Sequence, residues 1–481
     1  MKLGAIDATL LLVYLLGSVA LGVWLGRGQK TAADYMLGGR DLKWWIVLVT
    51  IVATETSTVT YLSTPSKSYT GDLTFIQLPI GYVIGRIVVA FWLLPKYFAG
   101  EIFTAYEILE LRFGGKVKRA ASVLFLVTRT LADGLRLFLT AVVLQELTGL
   151  SMNGSILVTG IVTLVYTAFG GMKAVVWTDV IQFFLKVGGA IAAFIALLYK
   201  LPGGFDELLR VGAEANKLRA FDLSFDLANP HTLWAGVVGG AVLSVGTHGV
   251  DQLMVQRYLC AKSERHARIA LVSSGFVVMA QFALFLMLGV GLFAFYRMHQ
   301  PGVLLAKDHE FTSFIVDHLH EPPGLLGLVL GAVFAAAMSV LSGSLNSSAT
   351  TFVKDIWVPL FAKDATQEKQ LLTTKAATVL FGCLQMGVAV AGQGFQKTVI
   401  DNVLTIASIT TGVILGVFLL GSCSKRPNQR DALIGAVVGL TVVLVLHFAK
   451  WPITIAWPWY ALVGSTTTLL VGLTAAGAGR V

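Results

Sequence analysis

Thirteen apolar stretches recur along this chain, and each is long enough to cross a lipid bilayer as a helix, which takes about 20 residues. They cover 4–26, 42–70, 74–98, 117–147, 151–170, 173–200, 232–256, 267–296, 323–358, 371–392, 396–421, 430–449 and 454–478. Charged residues make up only 13% of the 481, and the mean hydropathy is +0.76. Soluble domains carry roughly 25% charged residues. The chain therefore reads as an all-α polytopic membrane protein with about thirteen transmembrane helices. The first stretch, Gly4 to Gly26, is longer than a signal-peptide core and lacks a small-residue cleavage motif, so it reads as a retained span.

Orientation follows from Lys and Arg, which favour the cytoplasmic side. With the N-terminus outside and the C-terminus inside, the internal connections hold twenty-two of them and the external ones ten. Arg86, Arg129, Arg136 and Lys186 fall within spans. The net charge of +9 is then mostly a property of the inner face of a cell membrane, not a nucleic-acid surface. The two long external loops, 201–231 and 297–322, mix charge signs and read as small amphipathic caps. Cys260, Cys383 and Cys423 are odd in number and widely spaced, which gives no disulfide framework or metal motif. No HExxH, GxSxG or phosphate-binding loop is present, so the chain is not read as an enzyme. Repeated filter loops, as a channel would need, are absent too.

One span is unlike the others. Leu42 to Tyr69 begins as a clean apolar helix and then breaks at Ala53 into Ala-Thr-Glu-Thr-Ser-Thr. A carboxylate and several hydroxyls at mid-bilayer are costly unless they face protein, an ion or a ligand. The stretch reads as a discontinuous helix whose centre coordinates something. The alternative is a continuous helix with its hydroxyls bonded back to their own carbonyls. A second interruption, Ser244-Val-Gly-Thr-His-Gly-Val-Asp-Gln252, falls five spans later, with Gly246 and Gly249 breaking the apolar run. Two broken segments in matching positions point to an inverted-repeat transporter. A glycine-rich packing face is the other reading.

Three segments carry a family resemblance. They are Gly170-Gly-Met-Lys-Ala-Val-Val-Trp-Thr-Asp-Val-Ile-Gln182, Asp251-Gln-Leu-Met-Val-Gln-Arg-Tyr258, and Ala336-Ala-Met-Ser-Val-Leu-Ser-Gly-Ser-Leu-Asn-Ser-Ser348 followed by Asp355. In this order they resemble the sodium/solute symporter family, which includes sodium–glucose, sodium–proline, sialic acid, iodide and monocarboxylate transporters. The resemblance implies a five-plus-five inverted-repeat core. Residues 1–41 would be a leading helix and loop, 42–200 the first repeat, 201–231 an external loop, 232–421 the second repeat and 422–481 two trailing helices. It also implies Na⁺ as the coupling ion, a small-molecule solute, a bilayer setting and a monomeric transport unit.

By the same resemblance, the main sodium site would use the carbonyls of Ala53 and Thr56, the carbonyl of Ala336 and the hydroxyl of Ser339. The family's second hydroxyl is replaced by Val340, and Glu55 is the residue that would compensate. Asp179, with Ser339 and Ser342, would hold a second sodium, although one expected serine is Gly343. Ser339 and Ser342 could instead be small packing residues, and Glu55 or Asp179 a paired structural carboxylate.

Substrate would lie beside the sodium, between the two breaks. Candidates are Ser57, Thr58 and Thr60, then Phe75 and Gln77, and Thr247 and His248. Arg129, Asp133 and Arg136 share one helical face by their spacing of four and three. An arginine there would clamp a carboxylate with two parallel bonds, or Asp133 would merely neutralise one arginine. Two arginines against one aspartate leave surplus positive charge, which favours a small carboxylate. A sugar or amino acid, coupling to protons through Glu55 or Asp179, and a non-transporting sensor of the same fold remain alternatives. One positive charge crossing the membrane is worth ~2.3 kcal/mol per 100 mV, roughly a fifty-fold accumulation of solute.

Overall fold

Packing in this protein is organised around its most buried long helix, Leu325–Thr351, in a computed structural model that describes residues 4–27, 31–100, 102–300, 308–394, 399–450 and 453–478. Of the charges counted above, Lys2, Lys30, Lys307, Lys397 and Arg480 lie outside the described residues. The principal helices are α1 (Ala5–Gly26), α2 (Trp44–Glu55), α3 (Thr58–Thr70), α4 (Gln77–Trp92), α5 (Gly115–Thr148), α6 (Met152–Lys200) and α7 (Gly240–Gly249). After these come α8 (Gln252–Leu259), α9 (Glu264–His299), α10 (Leu325–Thr351), α11 (Gln367–Ala391), α12 (Val399–Cys423), α13 (Gln429–Phe448) and α14 (Tyr460–Ala478).

Among the described residues, nine helical segments are long and apolar enough to cross a membrane, and α2 with α3 forms a tenth, bent by 60°. The expected pair 151–170 and 173–200 appears as two helices that meet at Gly171, where φ is 56° and ψ is −161° and helical geometry is broken; α6 denotes both. That left-handed geometry is open to glycine without a Cβ clash. The charge-rich α5 and the broken segment of α7 and α8 occupy two more of the expected positions. The segments 201–231 and 297–322 each carry a short helix, Gly204–Glu214 and Glu310–His318.

Helix α10 has apolar and small residues all round and is buried nearly throughout. A helix apolar on every side is covered on every side. Its small residues let α6 come close: a Cβ on Gly189 would lie 2.5 Å from that of Ala332. The break between α2 and α3 lies against this α6–α10 pair.

Candidate functional site

The break falls three residues beyond Ala53, at Thr56 and Ser57, and its hydrogen bonds explain it. In an unbroken helix the amide of Ser57 would bond the carbonyl of Ala53, and that of Thr60 would bond Thr56. Here Ser57 N–H turns to the Glu55 carbonyl at 2.9 Å. The Ser57 hydroxyl caps α3 by accepting from Thr60 N–H at 3.4 Å. Serine is among the residues best suited to that cap. Two carbonyls, Ala53 and Thr56, are thereby released from the helix ladder. The remaining hydroxyls of the run are satisfied locally or by neighbours. Thr60 donates to the Glu55 carbonyl, Thr56 to Gln281 Oε1 at 2.7 Å, and Thr58 shares a bond with Thr140.

The second break falls beyond Gly246, which sits inside α7. It follows Gly249, with Val250 at φ −130° and ψ −4°, and Asp251 then caps α8 by accepting from Leu253 N–H. Position 246 is packed, not kinked: a Cβ there would lie 3.1 Å from Thr411.

The two freed carbonyls and Ser339 meet a side chain that sequence reasoning left without a role. Lys186, on α6 and 1% exposed, donates to the Ala53 carbonyl at 2.5 Å, the Thr56 carbonyl at 3.1 Å and Ser339 Oγ at 2.7 Å. Ser339 in turn donates to the Ala53 carbonyl at 2.9 Å. Ser342 bonds back to the Ser339 carbonyl, and Ala336 stays within an unbroken α10. A bare sodium ion needs about five or six hard oxygens. Three of the expected oxygens are engaged by an ammonium, and Val340 supplies none. The residues present therefore do not fit a sodium ion at this point. An intramembrane lysine is a signal of function by default.

Asp179 is likewise committed. Its Oδ2 accepts from Arg257 at 3.2 Å, and both side chains are buried. Arg257 also donates to the carbonyls of Leu253 and Thr50. A Cβ on Gly343 would come within 2.5 Å of the guanidinium. The glycine that replaces the expected serine is the space in which Arg257 lies. Its other oxygen, Oδ1, is buried without a protein partner among the described residues, while its charge is matched by Arg257.

Glu55 points away from the cage. It pairs with Arg86, which also donates to Ser274 Oγ, and lies 3.7 Å from His248 Nε2. Arg86 was legible in the sequence as a lone arginine inside an apolar span, but no partner could be assigned to it there.

A cavity of about 110 Å³ lies between the two breaks. It is lined by Ser57, Thr60, Arg129, Arg136, Thr247 and His248 from the expected set, together with Glu55, Tyr82, Phe282 and Val340. Four expected residues do not line it. Thr58 faces Thr140, and Phe75 stacks on Phe282. Gln77 binds the carbonyls of Thr74 and His231 and accepts from Asp222 N–H, so it fastens the 201–231 loop. Asp133 lies behind the wall, paired with Arg136 and 3.9 Å from Arg129. The surplus positive charge expected of α5 is corrected by Asp251, which pairs with Arg129. The cap of α8 could not be placed beside α5 from sequence spacing.

A helical bundle with two interrupted helices around a mid-bundle cavity is the architecture of a secondary transporter. Residues 35–439 match the model of the sodium:solute symporter family, and the chain belongs to that family, whose coupling ion is sodium. It is 30% identical to the human sodium/iodide cotransporter, over 92% of this chain and 69% of that protein. It is 30% identical to the sodium-coupled monocarboxylate transporter 1 of Xenopus laevis, over 91% and 71%. It is 29% identical to a sodium/sialic acid symporter of Proteus mirabilis, over 98% and 94%. Among solved structures, a Na⁺-coupled sialic acid symporter in a substrate-bound outward-open state superposes with a TM-score of 0.89 at 28% identity, covering 99% of this chain and 98% of that one. A nucleobase-cation-symport-1 family transporter shares the fold, with a TM-score of 0.58 at 13% identity, covering 92% and 93%.

Proposed function

We propose that this protein imports a small organic carboxylate by cation-driven alternating access, with sodium as the coupling ion its family uses. Substrate binds in the cavity between the two breaks. The observation that carries the carboxylate is Arg136. It lines the cavity and spends one hydrogen bond, from Nη1, on Asp133. Its buried Nε has no protein partner among the described residues. Donors on one planar guanidinium then remain for the two oxygens of a carboxylate. Ser57, Thr60 and Thr247 supply hydroxyls for the rest of a small solute, and Phe282 a flat apolar wall. Among the relatives, monocarboxylate and sialic acid transporters have carboxylate substrates by name.

The first and second repeats, 42–200 and 232–421, would rock about this cavity as a monomeric unit, with leading helix 1–41 and trailing helices 422–481 at the sides. The N-terminus would lie outside a cell's plasma membrane and the C-terminus in the cytoplasm. The test is uptake into proteoliposomes under an imposed cation gradient, with labelled monocarboxylates, sialic acid, sugars, amino acids and iodide offered in turn. We expect accumulation of a carboxylate, weakened in Arg136→Ala by about 100-fold, since truncating one partner of a buried charge pair costs about 2–5 kcal/mol and each 1.4 kcal/mol is tenfold. Accumulation of sugars alone, or full carboxylate uptake by Arg136→Ala, would refute the reading.

A further inference from the structure

We propose that Lys186 is the resident cation of the cage built by Ala53, Thr56 and Ser339, so that this transporter carries its own positive charge where a bare alkali ion would sit. The proposal deepens the symporter reading at the same broken helix and places the sodium that drives transport away from this cage.

The match is one of number and geometry. An ammonium has three donors and no acceptor, and the cage offers three acceptors: two carbonyls released by the break and one hydroxyl, at 2.5, 3.1 and 2.7 Å. Both partners are satisfied with nothing left over. Sodium in the same place would be short of ligands, because position 340 is valine and Ser342 turns its hydroxyl to the Ser339 carbonyl. The ammonium and a sodium ion cannot share these oxygens, since both would have to sit within one contact distance of the same three atoms.

The charges around the cage agree. Asp179 lies seven residues before Lys186, two turns away on the same helix, and pairs with Arg257 from α8. Glu55, at the end of α2, is held by Arg86 from α4 on the cavity side. From α10 the cage receives only the neutral Ser339, and α9 contributes the neutral Gln281 to Thr56. Lys186, Arg257 and Asp179 therefore already carry one net positive charge in the membrane. A sodium ion in the cage would make it two, with no further carboxylate to offset the second, and uncompensated buried charge is strongly disfavoured. The same arrangement gives Gly343 its reason: the guanidinium that neutralises Asp179 takes up the volume of a side chain there.

The experiment counts sodium. Radiolabelled sodium is bound to the purified full-length protein in detergent, in the absence of any solute, for the unaltered chain, for Val340→Ser, which adds the missing hydroxyl, and for Val340→Ser combined with Lys186→Ala. We expect only the combined variant to bind one more sodium ion per protein, and the extra ion to disappear when Ser339→Ala is added. Equal counts in all three, or an extra ion in Val340→Ser with Lys186 still present, would overturn the proposal. A second measurement needs no variant: a density map of the unaltered protein in saturating sodium chloride. We expect side-chain density running unbroken from α6 into the cage. A separate ion peak among these oxygens with Lys186 swung aside would overturn the proposal. Neither measurement depends on transport, so failure of carboxylate uptake, which would sink the proposed function, leaves this result readable by itself.

Discussion

The pairing of Glu55 with Arg86 makes a quantitative prediction. Arg86 is fully buried, the Glu55 side chain is 15% exposed towards the cavity, and the two are joined by a direct hydrogen bond. Replacing one partner of a buried pair strands the other charge, at a cost of about 3–5 kcal/mol, whereas replacing both is often close to neutral. Arg86→Met leaves the Glu55 carboxylate facing only His248 at 3.7 Å. Ser274 loses one donor but keeps its own bond to the Leu271 carbonyl at 2.7 Å, so little of the cost arises there. We therefore expect Arg86→Met to be destabilised by about 3 kcal/mol or more, and Arg86→Met combined with Glu55→Gln to regain at least about 2 kcal/mol of it. The assay is equilibrium unfolding in mixed micelles of the unaltered protein, the two single variants and the double variant. A double variant no more stable than Arg86→Met would refute the pairing argument, because the penalty would then lie in packing rather than in charge.

Three further outcomes are expected. Gly289→Ala puts a Cβ 2.1 Å from the Pro65 carbonyl and 2.2 Å from Ser68 Oγ, so α3 must move; this overpacking should cost about 1–3 kcal/mol of stability and lower uptake. Gly188→Ala, with nothing within 4 Å, should leave uptake intact and serves as the comparison; similar uptake by both would refute the steric reading. Gly343→Ser should push Arg257 off Asp179 and lower stability by about 3 kcal/mol, measured by the same unfolding assay; an unchanged value would mean the guanidinium has room to spare. In the 297–322 loop, the hydrogen bond to Glu146 at 2.6 Å raises the His309 imidazole above its ordinary value. A raised folded-state value stabilises below the unfolded value of about 6.5, and that contribution is lost as pH rises through the folded value. The melting temperature should therefore fall as pH is raised above about 6.5, and His309→Phe should remove that part of the slope; an identical slope in the variant would refute it.

The sequence by itself determined the membrane setting, the family and the position of both breaks to within a few residues. Hydropathy is a property of the chain alone, and a backbone leaves helical geometry where Ser57 can cap the next helix or where Gly249 and Asp251 follow one another. Six of the cavity's nineteen lining residues were also legible, four of them because residues flanking a break face what the break exposes. Tertiary packing alone decided which charge meets which. Lys186 and Arg86 were visible as costly residues in apolar spans, but their partners lie 130 or more and about 30 positions away, on other helices. The same holds for Arg129, whose partner Asp251 comes from a different broken helix and cancels a surplus charge that local spacing had left standing. A buried ion pair is a relation between elements, and no periodicity within one element encodes it.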